Sequence, residues 1–197
     1  MKQLDEPLNL EKLQSGDRDE FTRMVTTYSD AIYRIGLKMT GQADDAEDVL
    51  QETFIKAFKS LKSFQGKSQL STWLYRIALN EALMLLRKRK PESPIFTADE
   101  ETDSAIGLPV ENIVDWCYLP EETLLTQETR QKLDDGIKNL PENLRTVFIL
   151  RDLEDLSTAE TAQTLNLTEN NVKTRLLRAR LKIREELSIY FRERVTR

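Results

Sequence analysis

Residues 140–187 read LPENLRTVFILRDLEDLSTAETAQTLNLTENNVKTRLLRARLKIREEL, and their punctuation is that of short helices in quick succession. Pro141 suits a first helical turn, where a missing N–H costs nothing. Ser157 and Glu160 form an S-x-x-E capping box ahead of Ala162 and Leu165. Only Asn166 and Leu167 separate that helix from one starting near Thr168. Asparagine tolerates the left-handed conformation a tight turn requires, and Leu167 can plug the angle between the two helices. The expected helices are 122–138, 141 to about 155, 157–165, and 168 to beyond 184. The last two have helix-turn-helix spacing.

On the last helix Val172, Leu176, Ala179 and Ile183 share one face. Asn170, Thr174 and Arg178 project from the other, flanked by Asn171, Lys173 and Arg175. The first turn of a recognition helix enters the major groove, where asparagine pairs with adenine, arginine with guanine, and neighbouring cations take phosphates. A basic face alone describes a solvated helix equally well. The capped preceding helix, the two-residue turn and the polar first turn together favour a DNA reader.

Across the rest of the chain, apolar residues recur at three- and four-residue intervals almost throughout, and strict alternation is missing. The chain is therefore expected to be all-α. Ala46, Val49, Leu50, Phe54, Ala57, Phe58 and Leu61 lie along one helical stripe, predicted to bury against Phe21, Val25, Tyr28, Ile32, Ile35 and Leu37. A further helix is expected after Ser71 or Thr72, running through WLYRIALNEALMLLRKRK and ending by Lys90 because Pro91 follows. Its apolar residues surround much of its circumference, which places it centrally. From Pro91 to about Pro120 periodicity fades into a stretch rich in proline, acid and small polar residues, with Ile95, Phe96, Ile113, Val114 and Trp116 as possible anchors. The organisation expected is two helical domains, 1–90 and 122–197, joined by a linker, 91–121.

Composition narrows the chemistry. The 197 residues include one cysteine, Cys117, and no histidine. An internal disulfide is excluded, and the usual zinc ligand sets and histidine-based catalytic arrangements are missing. There is no GxxxxGK[ST] or GxGxxG loop. No enzymatic activity, metal or cofactor is expected. No uncharged run approaches the ~20 residues of a membrane-spanning helix, and MKQLDEPLNLEKL is not a secretory signal; a cytoplasmic protein without membrane insertion is expected. The net charge of −5 is unevenly spread. KTRLLRARLKIR (173–184) holds no acid and RKRK (87–90) is a second basic cluster, whereas 44–52 and 99–103 are acidic. Such a chain suits a partner with basic surface of its own.

Residues 140–187 resemble sigma region 4: LP, an arginine before an apolar helix, a helix-turn-helix, then VK-[ST]-R-L-x-R-A-R. DDAEDVLQETFIKAFKSLKSF (44–64) followed by STWLYRIALNEALMLLRKRK (71–90) resembles sigma region 2. Their order, with no further domain between them, resembles the extracytoplasmic-function (ECF) sigma factors. The resemblance implies a factor that binds core RNA polymerase and directs promoter-specific initiation, usually under an anti-sigma partner. It implies that Asp45, Asp48, Gln51 and Glu52 lie on an exposed helix face that docks on the polymerase clamp helices; by themselves these acids would simply favour a helix N-terminus. It also implies that the loop 64–68 and the following helix capture the melted minus-10 strand, with Phe64, Lys67, Trp73, Arg76, Asn80, Arg87 and Lys88 as contacts. Trp73 is equally suited to a core, and Arg87 to Lys90 to a helix C-terminus. Asn170, Asn171, Lys173, Thr174, Arg175 and Arg178 are implied to read the minus-35 duplex. Departures from the family pattern include Thr161 where the family usually has isoleucine, and Asn166 for the commoner turn glycine. On the residues alone, a ligand-sensing helix-turn-helix regulator and a helical adaptor that binds only protein remain alternatives.

Overall fold

The computed structural model describes residues 8–89 and 127–195, which are helical and without a strand. The linker expected at 91–121, with Cys117 and the acidic run 99–103, lies outside the described residues. Contacts divide the chain into two units, Met1–Pro91 and Glu92–Arg197.

The first unit comprises α1 (Leu10–Ser15), α2 (Arg18–Thr40), α3 (Ala43–Ser60), a single 3-10 turn (Leu61–Ser63) and α4 (Leu70–Arg89). Local signals set the helix ends. The Asn9 side chain accepts from the Lys12 N–H and that of Asp17 from the Glu20 N–H, while Gly16 and Gly41 close α1 and α2 in the left-handed conformation. Gly36 lets α3 cross close to α2: a Cβ there would stand 3.0 Å from the Ala46 Cα. Met24, Ile32, Ile35, Met39, Val49 and Leu74 are fully buried in this unit.

α4 packs against both α2 and α3, and Thr72, Leu74, Tyr75, Ala78, Leu79, Glu81, Ala82 and Leu83 are all buried, so the expected central helix is present. It starts two or three residues earlier than expected, at Leu70, with the Trp73 N–H bonded to the Gln69 carbonyl at 3.1 Å. Phe58 departs from the predicted stripe and is 57% exposed. At about 100° per residue it sits roughly 120° around the helix from Ala46, and its ring makes an edge-to-face contact with Phe21 at 5.1 Å between ring centres.

The second unit comprises α5 (Gln127–Asn139), α6 (Glu142–Phe148), a π turn (Ile149–Leu153), α7 (Thr158–Leu165) and α8 (Glu169–Val195). Its core joins Ile137, Leu140, Leu144, Val147 and Phe148 to Ala162, Val172, Leu176, Ala179, Ile183 and Leu187. Pro141 is the N-cap of α6 rather than its first helical residue. The helix expected to run to about residue 155 leaves α geometry at Phe148. There the Glu154 N–H reaches back five residues to the Ile149 carbonyl at 3.0 Å, and the Leu156 N–H bonds the Leu150 carbonyl at 2.9 Å. Asp155 ends the segment at φ 54. Arg145, predicted only as a family position, is buried, and its guanidinium donates to the Lys138 and Leu140 carbonyls, satisfying the end of α5. Desolvation pushes its pKa below the usual arginine value, opposed by the Glu142 carboxylate.

Candidate nucleic-acid interface

The helix-turn-helix is assembled by local bonds. The Ser157 hydroxyl accepts from the Glu160 N–H at 3.2 Å and the Glu160 carboxylate accepts from the Ser157 N–H at 2.8 Å, which completes the predicted capping box. That exchange holds the Glu160 carboxyl below its ordinary pKa, the Ser157 hydroxyl bond being the largest cause. Asn166 takes φ 55 and ψ 47, the left-handed turn anticipated for it. The Leu167 N–H then bonds the Ala162 carbonyl at 2.9 Å and its side chain packs on the core. Thr168 accepts from the Asn171 N–H at 3.2 Å, launching α8.

On α8, Asn170 and Lys173 are exposed, and Asn171, Thr174 and Arg178 are partly buried. Arg175 is not the flanking surface cation expected, because only 5% of it is exposed. It follows Val172 by three residues and precedes Ala179 by four, so the helical period turns it toward the same core. Arg180, in the basic run, is engaged by an acid the sequence reading missed. Its Nε and a terminal nitrogen donate to the two carboxylate oxygens of Asp152 at 2.8 and 2.6 Å, and this raises its pKa. Asp152 lies 28 residues away, beyond any local signal. Thr161 is wholly buried, and its hydroxyl has no hydrogen-bond partner among the described residues.

In the first unit, Asp48, Gln51 and Glu52 are exposed on α3. They border a groove of about 420 Å³ between α3 and α4, which Lys56, Glu81, Met84 and Lys88 also line. Lys56 and Glu81 are paired across it at 2.6 Å. Ile55 and Phe58, 45% and 57% exposed, continue the same outward face of α3. Asp45 does not share it. It is 4% exposed, and both its oxygens accept from Arg89 at 2.5 Å, tying the start of α3 to the end of α4. The expectation of an exposed Asp45 fails because its partner, 44 residues on, folds over it.

Lys67, Arg76, Asn80, Arg87 and Lys88 are exposed. Trp73, Arg76, Asn80 and Arg87 recur at helical spacing and share one face of α4. Phe64, expected to stack on an unpaired base, is 8% exposed. Its ring lies against the partly buried Trp73 with centres 4.8 Å apart and a 34° tilt, so it supports the indole from beneath. Among the described residues no helix is long and apolar enough to cross a membrane.

Family models describe the same two blocks: sigma-70 region 2 matches residues 24–92 and sigma-70 region 4 matches residues 130–183. In this order the two regions define the class of RNA polymerase sigma factors. Among curated proteins, the ECF RNA polymerase sigma factor SigW of Bacillus subtilis is 36% identical over 179 residues, covering 90% of this chain and 94% of its own. The ECF RNA polymerase sigma-E factor of Haemophilus influenzae is 33% identical over 188 residues, 94% of this chain and 97% of its own. The chain belongs to the ECF RNA polymerase sigma factors, and its function is promoter-specific transcription initiation with core polymerase. Two solved structures share the fold at 21% identity: CnrH in complex with the cytosolic domain of CnrY, with a TM-score of 0.65 over 91% of this chain and 95% of that one, and the sigma factor RpoE with the anti-sigma factor NepR from Bartonella quintana, with a TM-score of 0.61 over 87% and 98%.

Proposed function

We propose a division of labour in which residues 1–90 bind core polymerase and trap the melted minus-10 strand, residues 91–121 link, and residues 122–197 read the minus-35 duplex. The observation that carries this reading is the exposed polar first turn of α8, mounted on a capped α7 and a left-handed Asn166. Asn170, Asn171, Lys173, Thr174 and Arg178 then face the major groove, where one good bidentate base contact discriminates by about 1–3 kcal/mol. Arg175 is reassigned to orienting α8 from within. Trp73, with Phe64 behind it, offers an aromatic face to an unstacked base, while Lys67, Arg76, Asn80, Arg87 and Lys88 follow the strand. Trapping a flipped base offsets the few kcal/mol of unstacking, so opening needs no nucleotide hydrolysis, no cofactor and no enzymatic activity in this chain.

Asp48, Gln51 and Glu52 dock on polymerase, with Asp45 as a strut behind them. The work is cytoplasmic. An anti-sigma protein covers the chain in its inactive state, a reading supported by the CnrY and NepR complexes of the two structural neighbours. Run-off transcription with sigma-free core polymerase and a promoter library tests the proposal. Starts downstream of a shared two-part motif are expected, and they should be lost with Asn170→Ala plus Lys173→Ala at the upstream element and with Lys67→Ala plus Asn80→Ala at the downstream one. Specific duplex binding without polymerase, and no initiation with it, would instead identify a conventional regulator.

A further inference from the structure

The loop that carries Lys67 is held from a direction no motif marks. The side-chain amide of Gln14, in α1, donates to the Phe64 carbonyl at 2.6 Å, across 50 positions of sequence. Leu13 beside it is 2% exposed. Leu10 abuts the loop at Gly66, which has φ +67 and where an added Cβ would stand 3.4 Å from the Leu10 Cδ2. α1 is itself pinned at both ends: the Asn9 N–H donates to the Glu20 carboxylate at 2.7 Å, and Gly16 closes the helix in the left-handed conformation.

Phe64 is thereby fixed at three points. Its ring lies on Trp73, its N–H bonds the Leu61 carbonyl at 3.1 Å, and its own carbonyl accepts from Gln14. Gln65, Gly66 and Lys67, immediately beyond, are exposed. A helix of six residues is too short to persist alone, so α1 exists through what it packs on, and one of its polar side chains is spent on the loop.

We propose that α1 is a brace that sets the conformation of the loop 64–68, and that Gln14 is a positioning residue for minus-10 strand capture that never touches DNA. This rests on the reading of that loop as the strand trap. An anchored loop meets the displaced base already ordered, so less freedom is lost on binding. Losing the anchor weakens capture without altering any contacting side chain.

The test uses the full chain with core polymerase, on promoters that compete at single minus-10 or minus-35 positions. Gln14→Met keeps the shape and removes the donor, Gln14→Glu sets a carboxylate against the Phe64 carbonyl, and Gln14→Lys retains a donor. With one hydrogen bond lost, open complexes on duplex promoter should fall about fivefold in Gln14→Met. The fall should be larger in Gln14→Glu and should recover in Gln14→Lys. Discrimination at minus-10 should relax while discrimination at minus-35 and core-polymerase affinity stay unchanged. Wild-type opening by Gln14→Met, a fall that Gln14→Lys shares in full, or a parallel fall in polymerase affinity overturns the brace. Lys67→Ala and Asn80→Ala separate the two levels. If both open promoters normally, the strand-trap reading falls and the brace with it; if both are impaired while Gln14→Met is normal, only the brace falls.

Discussion

The polar contacts that hold the candidate sites of the two units differ in reach. In the second, the bonds that shape the helix-turn-helix proposed to read DNA are mostly local: the Ser157–Glu160 exchange spans three residues, as does the Thr168–Asn171 bond. In the first, Asp45 reaches Arg89 across 44 positions, Lys56 reaches Glu81 across 25 and Gln14 reaches Phe64 across 50. A reader of duplex DNA needs one rigid helix presented at a set angle, which caps and a tight turn supply. The strand trap proposed for the loop 64–68 and the face of α4 needs its parts held by neighbours distant in sequence. Asp152–Arg180, 28 residues apart, is a long-range pair within the second unit as well.

The sharpest break in this comparison is at Phe64. Truncation to alanine should destabilise the chain by about 3 kcal/mol, measured by denaturant unfolding, because a buried aromatic is lost. Phe64→Leu should keep most of the stability and most of the promoter opening. Wild-type stability in Phe64→Ala with opening abolished would return Phe64 to the role of stacking surface.

Next in size, Asp45→Ala should cost about 2 kcal/mol in the free chain, less than for a fully buried pair because Arg89 is half-exposed. A variant with full stability and weakened polymerase binding would make Asp45 a docking residue after all. Thr161→Val should have the opposite sign, stabilising by about 1 kcal/mol, since it replaces a buried hydroxyl without a partner by a methyl of similar shape.

Asp152→Asn should act on DNA more than on folding. With its fork released, Arg180 becomes available for a phosphate, and the salt dependence of duplex binding by the polymerase-bound chain should steepen by about 0.9 in log–log slope. An unchanged slope would mean that Arg180 stays engaged elsewhere. The smallest effect concerns pH. The Glu160 pKa is depressed in the folded chain, so the folded state binds fewer protons than the unfolded one near that carboxyl's ordinary range. Its contribution is therefore complete above the ordinary value of 4.5 and lost as pH falls through the lower folded value. Glu160→Gln should flatten that acid-side loss in an unfolding series.

The residues alone determined the all-α class, the helix-turn-helix with its capped first helix, the left-handed Asn166, and the central place of α4. Each rests on helical periodicity, or on a cap or turn whose partners lie within a few residues of one another. Only the tertiary structure decided that Asp45 and Phe64 are inward-facing, that Asp152 occupies Arg180, and that Gln14 reaches the loop 64–68. Whether a charged or aromatic side chain faces solvent depends on what packs over it. Where that neighbour arrives from a distant segment, no spacing within a helix records it.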